Sequence, residues 1–478
     1  MKLSGWGRYP VADCTVTAPR TPEALAGAHK SGPLIARGNG RAYGDSAMNE
    51  DNTVSMRHFN RLIAFDHTTG QLTAEAGVLL GDVIDAFLPR GWFPAVTPGT
   101  KFVTLGGMAA ADVHGKNHHL DGGFGNTIDW LDIMGPDGNV TRCSREENTE
   151  LFDWTIGGMG LTGVILRMAI RLRRVETGWI LQHAHPAPNL AAAMEAFEAA
   201  PDAPYSVAWI DCLSTGEHLG RSIVMLGEHA SLDRLPNRFR QVPFGPPPGR
   251  NRTVPFNLPG FALNRWTVRA FNAAYYRMGL RNAGTSYVPW DTYFYPLDGI
   301  LGWNLIYGRR GFLQFQCVLP DDTARAGLKA LLTTIAETGQ GSFLAVLKKM
   351  GPEGGRFSFP MPGYTLALDF PVSDKVLELM EQLDRITLDH GGRFYLAKDA
   401  RLTAHMLHAT DPRAGAFAAM RPSSFCFSTT IVHDDSSQIP VICTGESSNF
   451  SDDGGGSING IFIFPTFRLS HKKSLHTQ

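Results

Sequence analysis

Apolar positions along the first 177 residues come in short bursts with two different periods. Leu80, Val83, Ile84 and Phe87 recur at three- and four-residue steps, which predicts one buried face of a helix ended by Pro89 and Gly91. Gln71 to Gly77 and Gly163 to Leu172 alternate apolar with polar residues, the two-residue period of a strand. A short apolar run, Pro33 to Ala36, predicts another strand. Thr104 suits the N-cap of a helix running through Gly-Gly-Met-Ala-Ala-Ala-Asp-Val, whose small residues admit a flat ligand.

From about residue 178 the pattern lengthens. Tyr205–Cys212, Arg221–Gly227, Gly311–Pro320, Ser342–Met350 and Tyr364–Pro371 predict strands. Two helical patterns interleave with them, Ala324/Leu328/Leu331/Ile335 and Val376/Leu379/Met380/Leu383. Strands and helices in this order predict an α+β fold of two domains, the second an antiparallel sheet with helices packed on one face. Between the early and late strands, Gln241 to Gly260 is too rich in proline and glycine for regular structure. After residue 421 the chain turns serine- and glycine-rich without periodicity, and a divergent, disordered tail over 421–478 is expected.

Composition narrows the class. A chain of 478 residues has room for two domains, and 43% hydrophobic residues fit a globular protein. With 44 basic and 45 acidic residues the net charge is −1, so no global field favours nucleic acid. The N-terminus lacks the apolar core of a signal peptide, and no run approaches the roughly 20 apolar residues that span a bilayer. A cytoplasmic protein is expected, with peripheral contact to the inner membrane surface at most. Cys14, Cys143, Cys212, Cys317, Cys426 and Cys443 are scattered without a C-x-x-C pair, the pattern of buried free thiols.

The densest chemistry lies in Arg37 to Asp45, Arg-Gly-Asn-Gly-Arg-Ala-Tyr-Gly-Asp, directly after the predicted strand. Glycines that turn at positive φ expose successive amides, and Arg37 and Arg41 add charge, so the loop suits a diphosphate. Gly38, Gly40 and Gly44 are spaced G-x-G-x-x-x-G with a polar continuation, which departs from the dinucleotide fingerprint. No Gly-Lys-Ser/Thr follows, which excludes a P-loop. His114, His118 and His119 raise a metal site, but Gly115 and Asn117 favour a loop over one helical face, and no metal is expected.

These two stretches, Arg37–Asp45 and Thr104–His119, together with Gly157–Ile165, resemble the flavin-binding segments of FAD-linked oxidases of the vanillyl-alcohol-oxidase type, with their PCMH-type FAD-binding domain. Val113–His119, Phe312–Pro320, Phe343–Pro352, Leu368–Pro371 and Tyr395–Arg401 are similar to the branch that oxidises polyprenyl-phosphate-linked ribose. The likeness covers roughly residues 5 to 420. It implies an FAD domain over 1–177, a substrate domain over 178–392 and a return to the FAD domain over 393–420.

The resemblance also implies roles. FAD would contact Arg37, Gly38, Asn39, Gly40, Arg41, Ala42, Tyr43, Gly44, Asp45 and Ser46 in the loop. It would further contact Gly99, Thr104, Leu105, Gly106, Gly107, Ala111, Asp112, Val113, His114, Ile165 and Tyr395. Lys398 is the leading candidate for proton handling, with Tyr43 and His114 near the flavin. Lys116, Tyr307, Gln314, Gln316, Lys348, Thr365 and Lys398 would line the substrate pocket, Gln314 and Gln316 sharing one strand face. Several relatives tether FAD through a histidine where this chain has Arg41, so non-covalent FAD is expected. Some carry a cysteine where this chain has Ala367, so chemistry or inhibition that needs that thiol is not expected.

The implied reaction oxidises C2 of a polyprenyl-phosphate-linked pentose, half of an epimerisation completed by a separate NAD(P)H-dependent keto-reductase. Gln241–Gly260 would then serve as a mobile lid or a membrane-contact loop. An aldonolactone or alditol oxidase acting on a free sugar is the first alternative. A flavin-binding protein without turnover is the second.

Overall fold

The computed structural model describes residues 1–29, 32–245, 252–260 and 262–420. The tail expected from 421, residues 246–251 of the proline-rich loop, Cys426 and Cys443 lie outside the described residues.

Near the N-terminus β1 (Val16–Thr17), β2 (Ile35–Arg37) and β3 (Thr53–Ser55) form a small parallel sheet in the order β1-β3-β2. The strand expected from Pro33 thus begins only at Ile35, since proline has no N–H for a ladder. A second sheet follows, antiparallel throughout. It comprises β4 (Leu62–Phe65), β5 (Gln71–Glu75), β6 (Trp92–Pro94), β7 (Ile128–Met134), β8 (Val140–Ser144) and β9 (Val164–Arg174). Its order is β8-β7-β9-β5-β4, with β6 against the far end of β9. Leu72 and Ala74 of β5 meet Met168, Ile170 and Leu172 of β9 in the core. Helix α1 (Leu80–Phe87) buries the four residues of its predicted stripe, and Gly91 at φ 79° ends the turn after it. Helix α2 (Leu105–Ala110) is short and capped by Thr104, whose Oγ1 accepts from the Gly107 N–H at 3.3 Å.

The large sheet contains β10 (Trp179–Ala187), β11 (Tyr205–Ile210), β12 (Ser222–His229), β13 (Gly284–Pro289), β14 (Phe312–Pro320), β15 (Ala345–Met350), β16 (Gly363–Pro371) and β17 (Arg393–Phe394). They are antiparallel in the order β13-β10-β12-β11-β15-β16-β14-β17. One face is apolar. Leu313, Phe315, Cys317 and Leu319 of β14 and Leu366, Leu368 and Phe370 of β16 pack under three helices. These are α3 (Leu190–Glu198), α5 (Asp321–Thr338) and α6 (Asp374–Asp389), with α4 (Arg265–Arg281) lying elsewhere on the sheet, against β10 and β12. Strand alternation turns Gln314, Gln316, Lys348 and Ala367 to the opposite face, which carries no such cover.

The architecture is α+β as expected, with two additions. Helix α3 supplies Leu190, Ala193, Met194 and Phe197 to the core, and Asn189 caps it by accepting from the Ala192 N–H at 3.0 Å. Helix α4 follows the proline-rich loop, where no helix was expected, and Asn264 caps it. The loop itself is irregular where described, apart from Arg252–Thr253 pairing with Ile300–Leu301. Strand β17 pairs with β14, so the returning chain first completes the large sheet before it reaches the N-terminal layer. Among the described residues no helix is long and apolar enough to cross a membrane. Cys14, Cys143, Cys212 and Cys317 are buried free thiols.

Candidate active site

A cavity of about 420 Å³ lies between the N-terminal layer and the face of the large sheet that carries Gln314, Gln316 and Lys348. Its first wall is the loop after β2. Of the three loop glycines only Gly40 has positive φ, at 62°. Gly38 and Gly44 serve another purpose. A Cβ on Gly38 would sit 2.2 Å from Thr104 Oγ1, and one on Gly44 would sit 1.9 Å from the Asp399 carbonyl. Those two glycines let the loop touch α2 on one side and the returning chain on the other. The Tyr43 N–H donates to the Ala397 carbonyl at 3.0 Å and completes that second junction.

A further wall is the turn from Gly157 to Gly163. The Gly157 and Met159 N–H groups donate to the Ala109 and Ala110 carbonyls at 3.1 and 2.7 Å, which ties the turn to the end of α2. Met159, Gly160, Gly163 and Ile165 face the cavity.

Most of the expected contacts are brought together. Gly38 through Tyr43, Ser46, Gly99, Thr104, Gly106, Gly107, Ala111, Val113, His114, Ile165 and Tyr395 all line the cavity, and so do Lys116, Gln314, Gln316, Lys348 and Lys398. Others do not reach it. The Arg37 guanidinium donates to the Ser4 and Ala47 carbonyls, so it braces the N-terminus and adds no charge to the cradle. Gly44 abuts the Asp399 carbonyl, while Asp45 is buried beside Asp399, away from the cavity lining. Leu105 belongs to the core. Asp112 accepts from the Gly125 N–H and the Ser358 hydroxyl at 2.8 and 2.6 Å. Tyr307 stacks on Phe312 at 4.3 Å, and the Thr365 hydroxyl donates to the Cys317 carbonyl, so both stand behind the wall.

On the sheet side, polar groups hold one another. Gln316 Nε2 lies 3.1 Å from His114 Nε2 and 3.2 Å from Thr365 Oγ1, so its amide hydrogens go to these two acceptors. Burial, aided by the charge of Lys348, keeps the His114 imidazole neutral far below its ordinary range. The Tyr395 hydroxyl donates to the Ala111 carbonyl at 3.0 Å, and its ring packs 4.7 Å from Phe359 and 5.1 Å from His114. His118 Nδ1 accepts from the Gly351 N–H and His119 Nε2 meets the Ala203 carbonyl, so the three imidazoles turn to separate partners.

The lysines carry the electrostatics. Lys398 Nζ sits 3.7 Å above the centre of the Tyr43 ring. Burial pushes its pKa down; the negative charge of Asp369 opposes this and Lys348 adds to it. Burial alone lowers Lys348 to about 8, and burial with Lys348 lowers Lys116 to about 7. The Lys116 ammonium also donates to the Tyr293 carbonyl and lies over that ring. No ion pair among the described residues involves any of the three.

Asp369 was not foreseen. It faces Gln314 across the β14–β16 ladder, is fully buried and accepts from the Gln314 amide, with burial raising its pKa. A lone carboxylate in an otherwise apolar strand, two residues from the position of Ala367, was the available signal. Trp209 and Tyr275 also line the cavity without any marker in the sequence.

Residues 18–144 match the family model described as an FAD binding domain. Over 435 residues, 88% of this chain and 94% of the relative, the sequence is 35% identical to decaprenylphosphoryl-β-D-ribose oxidase of Mycolicibacterium smegmatis (strain ATCC 700084 / mc(2)155). The chain belongs to this family of FAD-linked oxidases. It is also 32% identical to an uncharacterised Streptomyces coelicolor protein over 73% of this chain and 97% of that one. L-gulonolactone oxidase of Mus musculus is 29% identical over 28% of this chain and 30% of its own length.

FAD is the cofactor of this oxidase. The cavity fits it on its own terms. Nothing stands within 4 Å of a Cβ built on Gly99, which leaves open space on that wall. Arg41, stacked 4.0 Å over Trp6, buries an Nε–H without a partner among the described residues, a donor suited to a phosphate oxygen. Small residues on α2 leave a flat wall facing the polar sheet. Bound there, the flavin supplies a two-electron acceptor, and the chain's own groups supply orientation and proton handling.

Proposed function

We propose that this oxidase converts the C2 hydroxyl of a polyprenyl-phosphate-linked pentose to a ketone. The observation that carries the reading is the convergence of Lys116, Lys348 and Lys398 on one buried cavity, with Lys116 and Lys348 lacking a carboxylate partner. Buried cations of this kind call for an anionic guest, and a substrate phosphate provides one. The Mycolicibacterium relative is named for a substrate of this class.

Within the reading, Gln314 and Gln316 hold sugar hydroxyls. Lys398 in its neutral form, favoured by burial, accepts the hydroxyl proton, and FAD held by the loop and α2 would supply the acceptor for the C2 hydrogen and its two electrons. Tyr43 supports Lys398 from below, and neutral His114, fixed by Gln316, shapes the wall beside it. Residues 1–177 and 393–420 hold the cofactor and 178–392 the substrate. The FAD is non-covalent, because Arg41 cannot form the bond a histidine forms. A separate NAD(P)H-dependent keto-reductase completes the epimerisation, and the lipid tail keeps the protein at the inner membrane surface.

The test is product identity. Oxygen-free protein mixed with equimolar polyprenyl-phosphoryl pentose is expected to yield a sugar lacking two hydrogens, with its carbonyl at C2 by NMR. A carbonyl at another carbon, or unchanged sugar, contradicts the proposal.

A further inference from the structure

Helix α4 has two faces of different use. Its inner face is packed. Val268 and Asn272 are buried, Asn272 donates to Asp211 Oδ1 at 2.7 Å, and a Cβ on Gly279 would sit 2.3 Å from Ile223. Tyr275 on this side lines the cavity and packs on Trp209 at 4.6 Å, while Phe271 at the edge of the face meets Phe343.

The outer face is unlike the surface of a globular domain. Trp266, Ala270, Ala274 and Met278 recur every fourth residue as an exposed ridge, with Trp266 73% and Met278 50% accessible. Phe271 and Leu280 are also exposed. Arg265, Arg277 and Arg281 stand exposed around this ridge, with Arg269 half-buried. The helix has 17 residues and no acidic one, in a chain whose net charge is −1. None of these arginines takes part in an ion pair among the described residues.

We propose that α4 docks on an anionic phospholipid surface. Four arginines without an ion-pair partner among the described residues, around a tryptophan-bearing apolar ridge, complement anionic headgroups above acyl chains, the pattern of an interfacial helix. Because Tyr275 on the opposite side of the helix lines the cavity, docking there places the cavity one helix away from the bilayer from which a polyprenyl tail would be drawn. This purpose rests on the proposed lipid substrate; the surface itself is tested without substrate. It also relocates the expected membrane contact from the Gln241–Gly260 loop to the helix after it.

The experiment is co-sedimentation of the full-length, FAD-loaded protein with vesicles of phosphatidylcholine alone or of phosphatidylcholine mixed equally with phosphatidylglycerol. The wild type pellets with the mixed vesicles and stays in solution with the neutral ones. Arg277→Ala/Arg281→Ala weakens binding about 25-fold, at about a fivefold loss per arginine. Arg277→Lys/Arg281→Lys binds like the wild type, and Trp266→Ser/Met278→Ser weakens binding even at low salt. Flavin content reports the fold of each variant. Wild type that stays in solution with mixed vesicles, equal pelleting with both lipids, or alanine variants that bind normally would each overturn the proposal. Failure to oxidise a lipid-linked sugar would leave the vesicle result standing and count against the proposed function alone.

Discussion

Burial decides how the lysines of the cavity behave, and Asp369 modulates one of them. Lys398→Ala keeps FAD but loses substrate-dependent bleaching of the flavin; near-normal bleaching removes Lys398 from its role. Asp369 raises the Lys398 pKa against the effect of burial. Asp369→Asn removes that support, so neutral lysine is available at lower pH and the rising limb of kcat against pH moves to lower pH. An unmoved limb with unchanged kcat contradicts the coupling. Lys116 gives a stability test. Its folded pKa of about 7 lies below its ordinary 10.5, so the unfolded chain binds more protons between these values and stability falls as pH drops through that window. Lys116→Met removes the penalty, so its gain in Tm, measured on flavin-free protein, is largest at pH 7 and shrinks toward pH 10. An equal gain at both pH values would mean that Lys116 is not held under strain of this kind. Gln314 and Gln316 were legible because strand alternation and family likeness agree on one face, and Lys348 through the likeness alone. Asp369 was not, because a carboxylate inside Leu-Asp-Phe-Pro looks like a strand end until the ladder places it opposite Gln314.

Elements with strong contrast between faces were readable from the sequence. The stripes of α1, α5 and α6 match the buried residues of those helices. Helix α3 escaped notice because its alanines flatten the contrast between faces, and α4 because an exposed apolar ridge obscures its amphipathic pattern. The glycine loop shows a different limit. Composition marked it as a turn-rich cradle, yet only Gly40 turns at positive φ, while Gly38 and Gly44 are there for close contact. Gly44→Ala forces a methyl onto the Asp399 carbonyl and pries the returning chain from the loop. FAD content after purification is expected to fall several-fold, whereas full occupancy would show that this junction does not hold the cofactor. Thr104→Ala removes the cap of α2 at about 1 kcal/mol.

Across the whole molecule, the site joins segments that no periodicity connects. Tyr43 and Lys398 lie 355 positions apart in the chain, yet the Tyr43 N–H to Ala397 carbonyl bond sets them side by side. Only likeness to known flavoproteins foretold that meeting, because local pattern carries no information about distant pairing. The same likeness assigns Arg37, Gly44, Asp45, Leu105 and Asp112 to the cofactor and Tyr307 and Thr365 to the substrate, yet none of these seven lines the cavity, since a residue near a motif can as well brace its loop or back its wall. At this scale the tether is testable: acid precipitation is expected to release the FAD into solution, and yellow colour retained in the pellet contradicts a non-covalent cofactor. The central claim is a cavity built for a phosphate-linked sugar. Its most direct test is anaerobic flavin bleaching followed with a polyprenyl-phosphoryl pentose alongside free alditols and aldonolactones. Rapid bleaching by the lipid phosphate and little by the free sugars is expected. Rapid bleaching by a free sugar or lactone, with none by the lipid phosphate, would contradict it.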